Sequence, residues 1–385
     1  MPGNESAKTV APVDAARIAH LRHGDSELTV DWADGRQSRF AAIWLLDNRP
    51  DGRHSELGQR RFDIAELPEE PRIVSAALTD KGDVAVTLAP VNAALTFSAA
   101  WLRGHALDAA SRAERQRPAQ LWDKSLAQRL PTANYRDVAT SERALAGWLA
   151  DVRDYGFALL TDVPTEPGMV LQVIALFGYV RETNYGKLFD VVSVEKPTNL
   201  AFTGLALGNH TDNPYRDPVP QLQLLHCLEQ AAEGGESIVV DGFHAAERLR
   251  RESPEDFEVL TRHAVPFRYV EEGQVDLQAK APLIEMDSEG ELYAVRYNNR
   301  SAAPLDLPEE TVIPYYRAYR RFGRLLHDPQ AAAGFRLGPG DLFIVDNRRV
   351  LHGRRGFGNG RRHLQGAYAD KDSLQSKLRV LEARP

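Results

Sequence analysis

The chain has 385 residues, 43% of them hydrophobic and 26% charged, which predicts one large folded domain and a smaller one. A formal net charge of -7 with no compensating basic stripe argues against nucleic acid as a partner. No run approaches the ~18 continuous apolar residues of a membrane span, and the N-terminus lacks the basic-then-apolar pattern of a secretory leader.

Residues 1–15 read as a loose tail. Residues 16–107 read as a small β-rich domain. Strand-like runs recur there (Leu28–Trp32, Arg72–Ala76, Val84–Leu88, Leu95–Phe97), with turn signals between them at Asp34-Gly35, Asp51-Gly52 and Lys81-Gly82-Asp83. Trp32, Trp44 and Leu45 are its expected core. A charged, proline-containing stretch over 108–134 is the expected linker, and 135–385 the large domain.

In that domain Leu145, Trp148, Leu149 and Val152 recur at helical spacing behind Ser141, a good cap. Gly156–Thr161 reads as a buried strand, and Glu166-Pro-Gly opens a second helix carrying Val170, Val173, Ile174 and Phe177. The lone Cys227, inside the apolar Leu224–Leu228 run, reads as a buried small hydrophobe, which suits a reducing cytoplasm. Pro308–His327 reads as a long helix whose Tyr315, Tyr316, Tyr319 and Phe322 stripe is core packing. Helices beside strands that carry polar residues at their ends predict an α+β fold: a double-stranded β-helix (jelly-roll) barrel with flanking helices.

His210-Thr-Asp212 carries the chemistry. On a strand, residues two apart face the same way, and the Leu342–Val345 strand is expected to deliver a distant His352 to the same place. His210, Asp212 and His352 then form a 2-His-1-carboxylate set, which leaves half of an Fe(II) octahedron open. Iron of this kind needs two electrons from a cosubstrate. A chelating 2-oxo acid supplies them, and its far carboxylate needs a cation. Arg362 is the candidate, because guanidinium grips carboxylate bidentately. Arg361 reads as a solvated neighbour, and Ser237 as either a second donor or a strand-start serine.

The stretches Gly338–Arg354 and Arg362–Tyr368 resemble the taurine-dioxygenase-like Fe(II)/2-oxoglutarate superfamily. Asn209–Tyr215, Leu224–Leu228, Val239–Phe243 and Trp44–Asn48 narrow the resemblance to the γ-butyrobetaine hydroxylase family, over essentially the whole chain. The resemblance implies Fe(II), 2-oxoglutarate and O2, and a small trimethylammonium substrate. Carried over by motif, Tyr185, Phe189, Phe202 and Tyr368 would cage the cation, for which aromatic faces are the natural partners. The matching anion end offers Asn199, Asn213, Tyr215, Asn298 and Asn299, with Arg300 as a departure from the family pattern. Arg216 and Arg296 read as well as surface ion pairs. A cation at that end favours a phosphonate head group, as in the branch that hydroxylates 2-(trimethylammonio)ethylphosphonate at the carbon bearing phosphorus. γ-Butyrobetaine 3-hydroxylation to carnitine is the alternative, and a non-catalytic betaine-binding jelly roll a remote one. Many relatives carry a cysteine zinc site after the Trp-Leu-x-Asp-Asn segment. Here Arg49, Asp51 and His54 stand in those places, so structural zinc is not expected. A homodimer is expected.

Overall fold

The computed structural model describes residues 16–90, 93–192, 205–230, 233–358 and 361–384. The expected tail at 1–15, and the candidate residues Asn199 and Phe202, lie outside them. The chain divides into two compact units, Met1–Pro118 and Ala119–Pro385.

The first unit holds two three-stranded antiparallel sheets. One is built from Ile18–His23, Glu27–Trp32 and Gln37–Ala41, the other from Arg72–Leu78, Val84–Ala89 and Ala93–Phe97. Strict alternation explains why these segments are strands: along Glu27–Trp32 every second side chain is buried. Leu28, Val30, Trp32, Phe40, Leu45 and Phe97 form the core, while Trp44 is half-buried against Phe40 and Trp101. The Trp32 indole donates to the Ser38 hydroxyl (2.8 Å), which donates to Asp108 (2.8 Å).

The expected linker is not a separate connector. Asp108 caps the helix Ala109–Arg115 in the first unit, whereas Thr132–Asn134 is already a strand of the second, pairing in parallel with Phe157–Thr161. Charge and proline mark exposure, and an exposed stretch can still be hydrogen-bonded at both ends.

In the second unit two sheets face each other. The larger runs in the order Phe189–Val192, Arg362–Ala369, Leu222–Gln230, Leu342–Asp346, Phe157–Thr161, Thr132–Asn134, with Val180–Arg181 also paired to Arg362–Ala369. The smaller runs Leu207–His210, Val350–Arg354, Ser237–Asp241, Ala332–Phe335. The central strands are buried on both faces, and their alternate residues serve different cores. Leu342 and Ile344 pack outward under the helices Glu142–Tyr155, Met169–Ala175 and Lys371–Glu382, while Phe343 and Val345 point into the barrel with Leu225, Cys227, Val239 and Leu364. Burial pushes the Cys227 thiol up to about 11, so it packs as a hydrophobe.

Helices Gly242–Glu252, Pro254–Arg262 and Glu309–Leu326 cover the smaller sheet. Tyr315 and Phe322 are buried there, but Tyr316 is 49% exposed, so the aromatic stripe is only partly core. One residue along a helix turns the side chain by ~100°. A hairpin of Val265–Glu271 and Val275–Ala281 stands apart from both sheets. Among the described residues no helix is long and apolar enough to cross a membrane.

Candidate active site

Two corrections concern how the three ligand candidates meet. The Leu342–Asp346 strand does not carry His352, which rides the next strand, Val350–Arg354, in the opposite sheet. That strand pairs with Leu207–His210, putting His352 directly across from His210 with ring centroids 4.5 Å apart. Asp212 is not on the strand at all, because Leu207–His210 ends before it. Its place is set instead by Asn347. The Asn347 carbonyl accepts from the Asp212 backbone N–H (2.6 Å), and its amide donates to the Asp212 carbonyl (3.0 Å) and to the Pro220 carbonyl (2.8 Å).

One ligand atom from each of His210, Asp212 and His352 falls within 4.8 Å of the others. Asp212 Oδ1 lies 3.3 Å from His210 Nε2 and 3.9 Å from His352 Nε2. The other carboxylate oxygen is fully engaged, accepting from the Tyr368 hydroxyl (2.8 Å) and from the Gln223 amide. Asp212 is therefore prepared to ligate through one oxygen only. His210 holds its Nδ1 2.8 Å from the Gly208 carbonyl, which fixes the proton there and leaves Nε2 its lone pair.

Burial, helped by the neighbouring His210, pushes His352 down to about 3, the neutral form a metal ligand requires. Burial alone would raise the Asp212 carboxyl. The close approach of the His210 and His352 rings and the Tyr368 hydroxyl instead hold it well below the usual carboxylate range. Two imidazole nitrogens and one ionised oxygen fit a divalent iron.

The set opens onto a cavity of about 650 Å³. Arg362 and Ser237 border it, each buried at the start of its strand. Arg354, two residues past His352 and so on the same face, borders it too and is paired in register with Ser237. Burial and the Arg354 charge push Arg362 down to about 10, which still leaves it protonated. Both guanidinium groups lie over the Phe357 ring, at 4.8 Å for Arg354 and 5.9 Å for Arg362. Arg361 is exposed and pairs with Glu229 at 3.5 Å.

Of the residues expected to cage a cation, Tyr185, Phe189 and Tyr368 form one aromatic wall of this cavity. Phe189 lies 5.1 Å from Tyr368 and 6.3 Å from Tyr185. Gly366 makes this possible: a Cβ there would come within 2.3 Å of the Phe189 ring.

Of the expected anion end, Asn213, Tyr215, Asn298 and Arg300 line the same cavity, and Asn299 does not. Asn299 turns outward and accepts from the Tyr319 hydroxyl (3.2 Å), because the chain turns there, Ser301 N–H donating back to the Asn298 carbonyl (3.3 Å). The Asn298 amide is committed to backbone, donating to the Thr211 carbonyl (3.1 Å) and accepting from Arg300 N–H (3.2 Å). Asn213 accepts from the Tyr215 hydroxyl (2.6 Å) and keeps a buried amide N–H without a partner. The Arg300 guanidinium has no ion-pair partner among the described residues. Arg296 pairs with Glu285 (3.1 Å), and Arg216 is held by Asn184, so both are outside the cavity lining.

Four residues were not assigned roles from sequence: Asn347, Gln223, Arg354 and Tyr269. Period two along their strands could have found Gln223, in phase with Leu225 and Cys227, and Arg354, in phase with His352. Nothing local marks Tyr269.

The model of the family described as Taurine catabolism dioxygenase TauD, TfdA family matches residues 116–368. Gamma-butyrobetaine dioxygenase of Pseudomonas sp. (strain AK-1) is 39% identical, over 93% of this chain and 94% of its own. The human protein of the same name is 32% identical over 98% of both chains. Trimethyllysine dioxygenase of Meyerozyma guilliermondii is 28% identical over 95% of this chain and 96% of its own.

Proposed function

Because the chain belongs to the TauD/TfdA family, and within it to the γ-butyrobetaine hydroxylases, it is an Fe(II)/2-oxoglutarate-dependent dioxygenase, and we propose that it hydroxylates γ-butyrobetaine or a close trimethylammonium zwitterion. One observation carries this reading: Tyr368, part of the aromatic wall, also donates a 2.8 Å hydrogen bond to the candidate metal-ligating carboxylate. A cation held on that wall therefore sits beside the iron position.

His210, Asp212 and His352 would hold the iron, and Arg362 with Ser237 the far carboxylate of 2-oxoglutarate. Bound there, iron and 2-oxoglutarate with O2 supply the oxidising power for C–H hydroxylation, leaving succinate and CO2. The protein's own part is to fix the substrate at both ends, so that one carbon faces the metal. A quaternary ammonium cannot donate hydrogen bonds, and the ring faces of Tyr185, Phe189 and Tyr368 suit it. Asn213, with its unpartnered N–H, together with Tyr215 and Arg300, receives the anion.

The sequence by itself favours a phosphonate head group. The names of the relatives favour the carboxylate of γ-butyrobetaine, and that reading now leads. The phosphonate remains a second reading on one observation, the Arg300 guanidinium lining the cavity without an ion-pair partner among the described residues. Succinate release should be measured with γ-butyrobetaine and with 2-(trimethylammonio)ethylphosphonate, in wild type and Arg300→Ala. Turnover of γ-butyrobetaine that survives Arg300→Ala supports the leading reading. Turnover of the phosphonate alone, lost in Arg300→Ala, reverses the order. Turnover of neither removes the trimethylammonium reading.

A further inference from the structure

The hairpin Val265–Glu271/Val275–Ala281 belongs to neither barrel sheet, yet it borders the substrate cavity. Its base is tied to the loop that carries Arg300: Arg268 N–H donates to the Ser301 carbonyl (2.9 Å) and Ala303 N–H to the Pro266 carbonyl (3.0 Å). Strand alternation sorts the side chains. Arg268 faces solvent and forks onto Asp276 across the hairpin (3.0 and 2.8 Å), and Val270 is 53% exposed, whereas Val265, Phe267, Tyr269 and Glu271 share the inward face.

Tyr269 stacks on Tyr215 with centroids 5.0 Å apart and planes at 20°, and meets the Tyr185 ring edge-on at 6.3 Å. Tyr185 and Tyr215 are themselves joined hydroxyl to hydroxyl at 3.2 Å. The Tyr269 ring thus extends the wall of Tyr185 and Phe189 onto the hairpin. Next on the same face, Glu271 receives the Tyr269 hydroxyl at 3.5 Å, and among the described residues it forms no ion pair with lysine or arginine. A carboxylate lining the cavity beside the Tyr185 and Tyr269 rings is suited to a cation that is bulky and cannot hydrogen-bond.

Resting on the trimethylammonium reading above, we propose that Tyr269 and Glu271 form a hairpin-borne part of the cation subsite. Tyr269 supplies a π-face and Glu271 the counter-charge. Together they determine specificity for the charged trimethylammonium group over a neutral group of the same shape.

The test compares γ-butyrobetaine and its phosphonate counterpart, each with its carbon isostere (tert-butyl in place of trimethylammonium), in wild type, Tyr269→Phe, Tyr269→Leu and Glu271→Gln. Succinate release gives KM and kcat, with the KM for 2-oxoglutarate as internal control. Loss of a cation–π face predicts a KM for the charged substrate about 10-fold higher in Tyr269→Leu. Tyr269→Phe, which keeps the ring, should stay near wild type. Glu271→Gln should raise the same KM about threefold and flatten its dependence on salt. The isosteres and 2-oxoglutarate should keep their wild-type KM throughout. Equal losses for charged and neutral substrates, or none, overturn the proposal. Should Tyr269→Leu fail to fold, an unchanged KM in the isosteric Glu271→Gln overturns it alone. A wild type that does not prefer the charged substrates sinks the trimethylammonium reading instead, a separate result.

Discussion

Tyr368→Phe isolates the link between the aromatic wall and the metal position. The substitution keeps the ring that lies 5.1 Å from Phe189 and removes only the O–H that donates to Asp212 at 2.8 Å. A hydrogen bond to a charged group contributes about 1.5–3 kcal/mol. The Gln223 amide still donates to the same oxygen, so the carboxylate is not left bare, and the low end of that range applies. That corresponds to roughly a 10-fold loss in affinity for a divalent ion, in line with the ~10–100-fold typical when a partner of a metal ligand is removed. Titration calorimetry with Mn(II), a redox-stable substitute for iron, measures it directly. γ-Butyrobetaine binding to the metal-free protein, which depends on the retained ring, should change less than about twofold. If Mn(II) affinity in Tyr368→Phe equals wild type while substrate binding falls, Tyr368 is a wall and nothing more, and it does not couple the wall to the metal position.

Other outcomes follow from close packing and buried charge. Gly353→Ala would place a Cβ 2.8 Å from the Leu207 carbonyl and 2.7 Å from the Asn209 side chain, driving the His210 strand away from His352. Mn(II) binding should be lost while circular dichroism stays near wild type. Gly366→Ala should displace the Phe189 ring and weaken γ-butyrobetaine binding more than Mn(II) binding. Arg349 forks onto the buried Asp241 (3.0 and 2.8 Å) and also holds the Asp154 and Gln120 carbonyls, so Arg349→Leu should cost about 3–5 kcal/mol in chemical denaturation. Burial and the neighbouring Asp154 push the Asp151 carboxyl up to about 6, against Arg129. The folded state then holds this proton more tightly than the unfolded chain. The destabilisation is absent below pH ~4, grows towards pH 6 and is complete above it. Asp151→Asn should therefore raise stability by about 1 kcal/mol at pH 8, a figure discounted for partial exposure, and leave it unchanged at pH 4. Equal melting shifts at the two pH values would show that Asp151 does not titrate as argued.

Regular periodicity was legible in the sequence wherever it operates. The Ser141-capped helix, the doubly buried Leu342–Asp346 strand and the alternating strands of the first unit depend on neighbours two to four residues apart, and such patterns can be read from the chain. So can the chemical types of the ligands, since few side chains bind iron through nitrogen or ionised oxygen. The tertiary structure alone decided how those ligands meet. Asp212 lies past the end of its strand, where period two no longer applies, and its position comes from Asn347 far along the chain. His352 reaches His210 only because its strand lies in the smaller sheet, opposite the strand before it. Asn299 looked equivalent to Asn298 until backbone direction separated them, and Tyr269 joins the cavity through a hairpin whose docking leaves no local pattern. The division has one physical cause: residue type and local period depend on covalent neighbours, whereas convergence of side chains on a single point depends on contacts between segments distant in sequence.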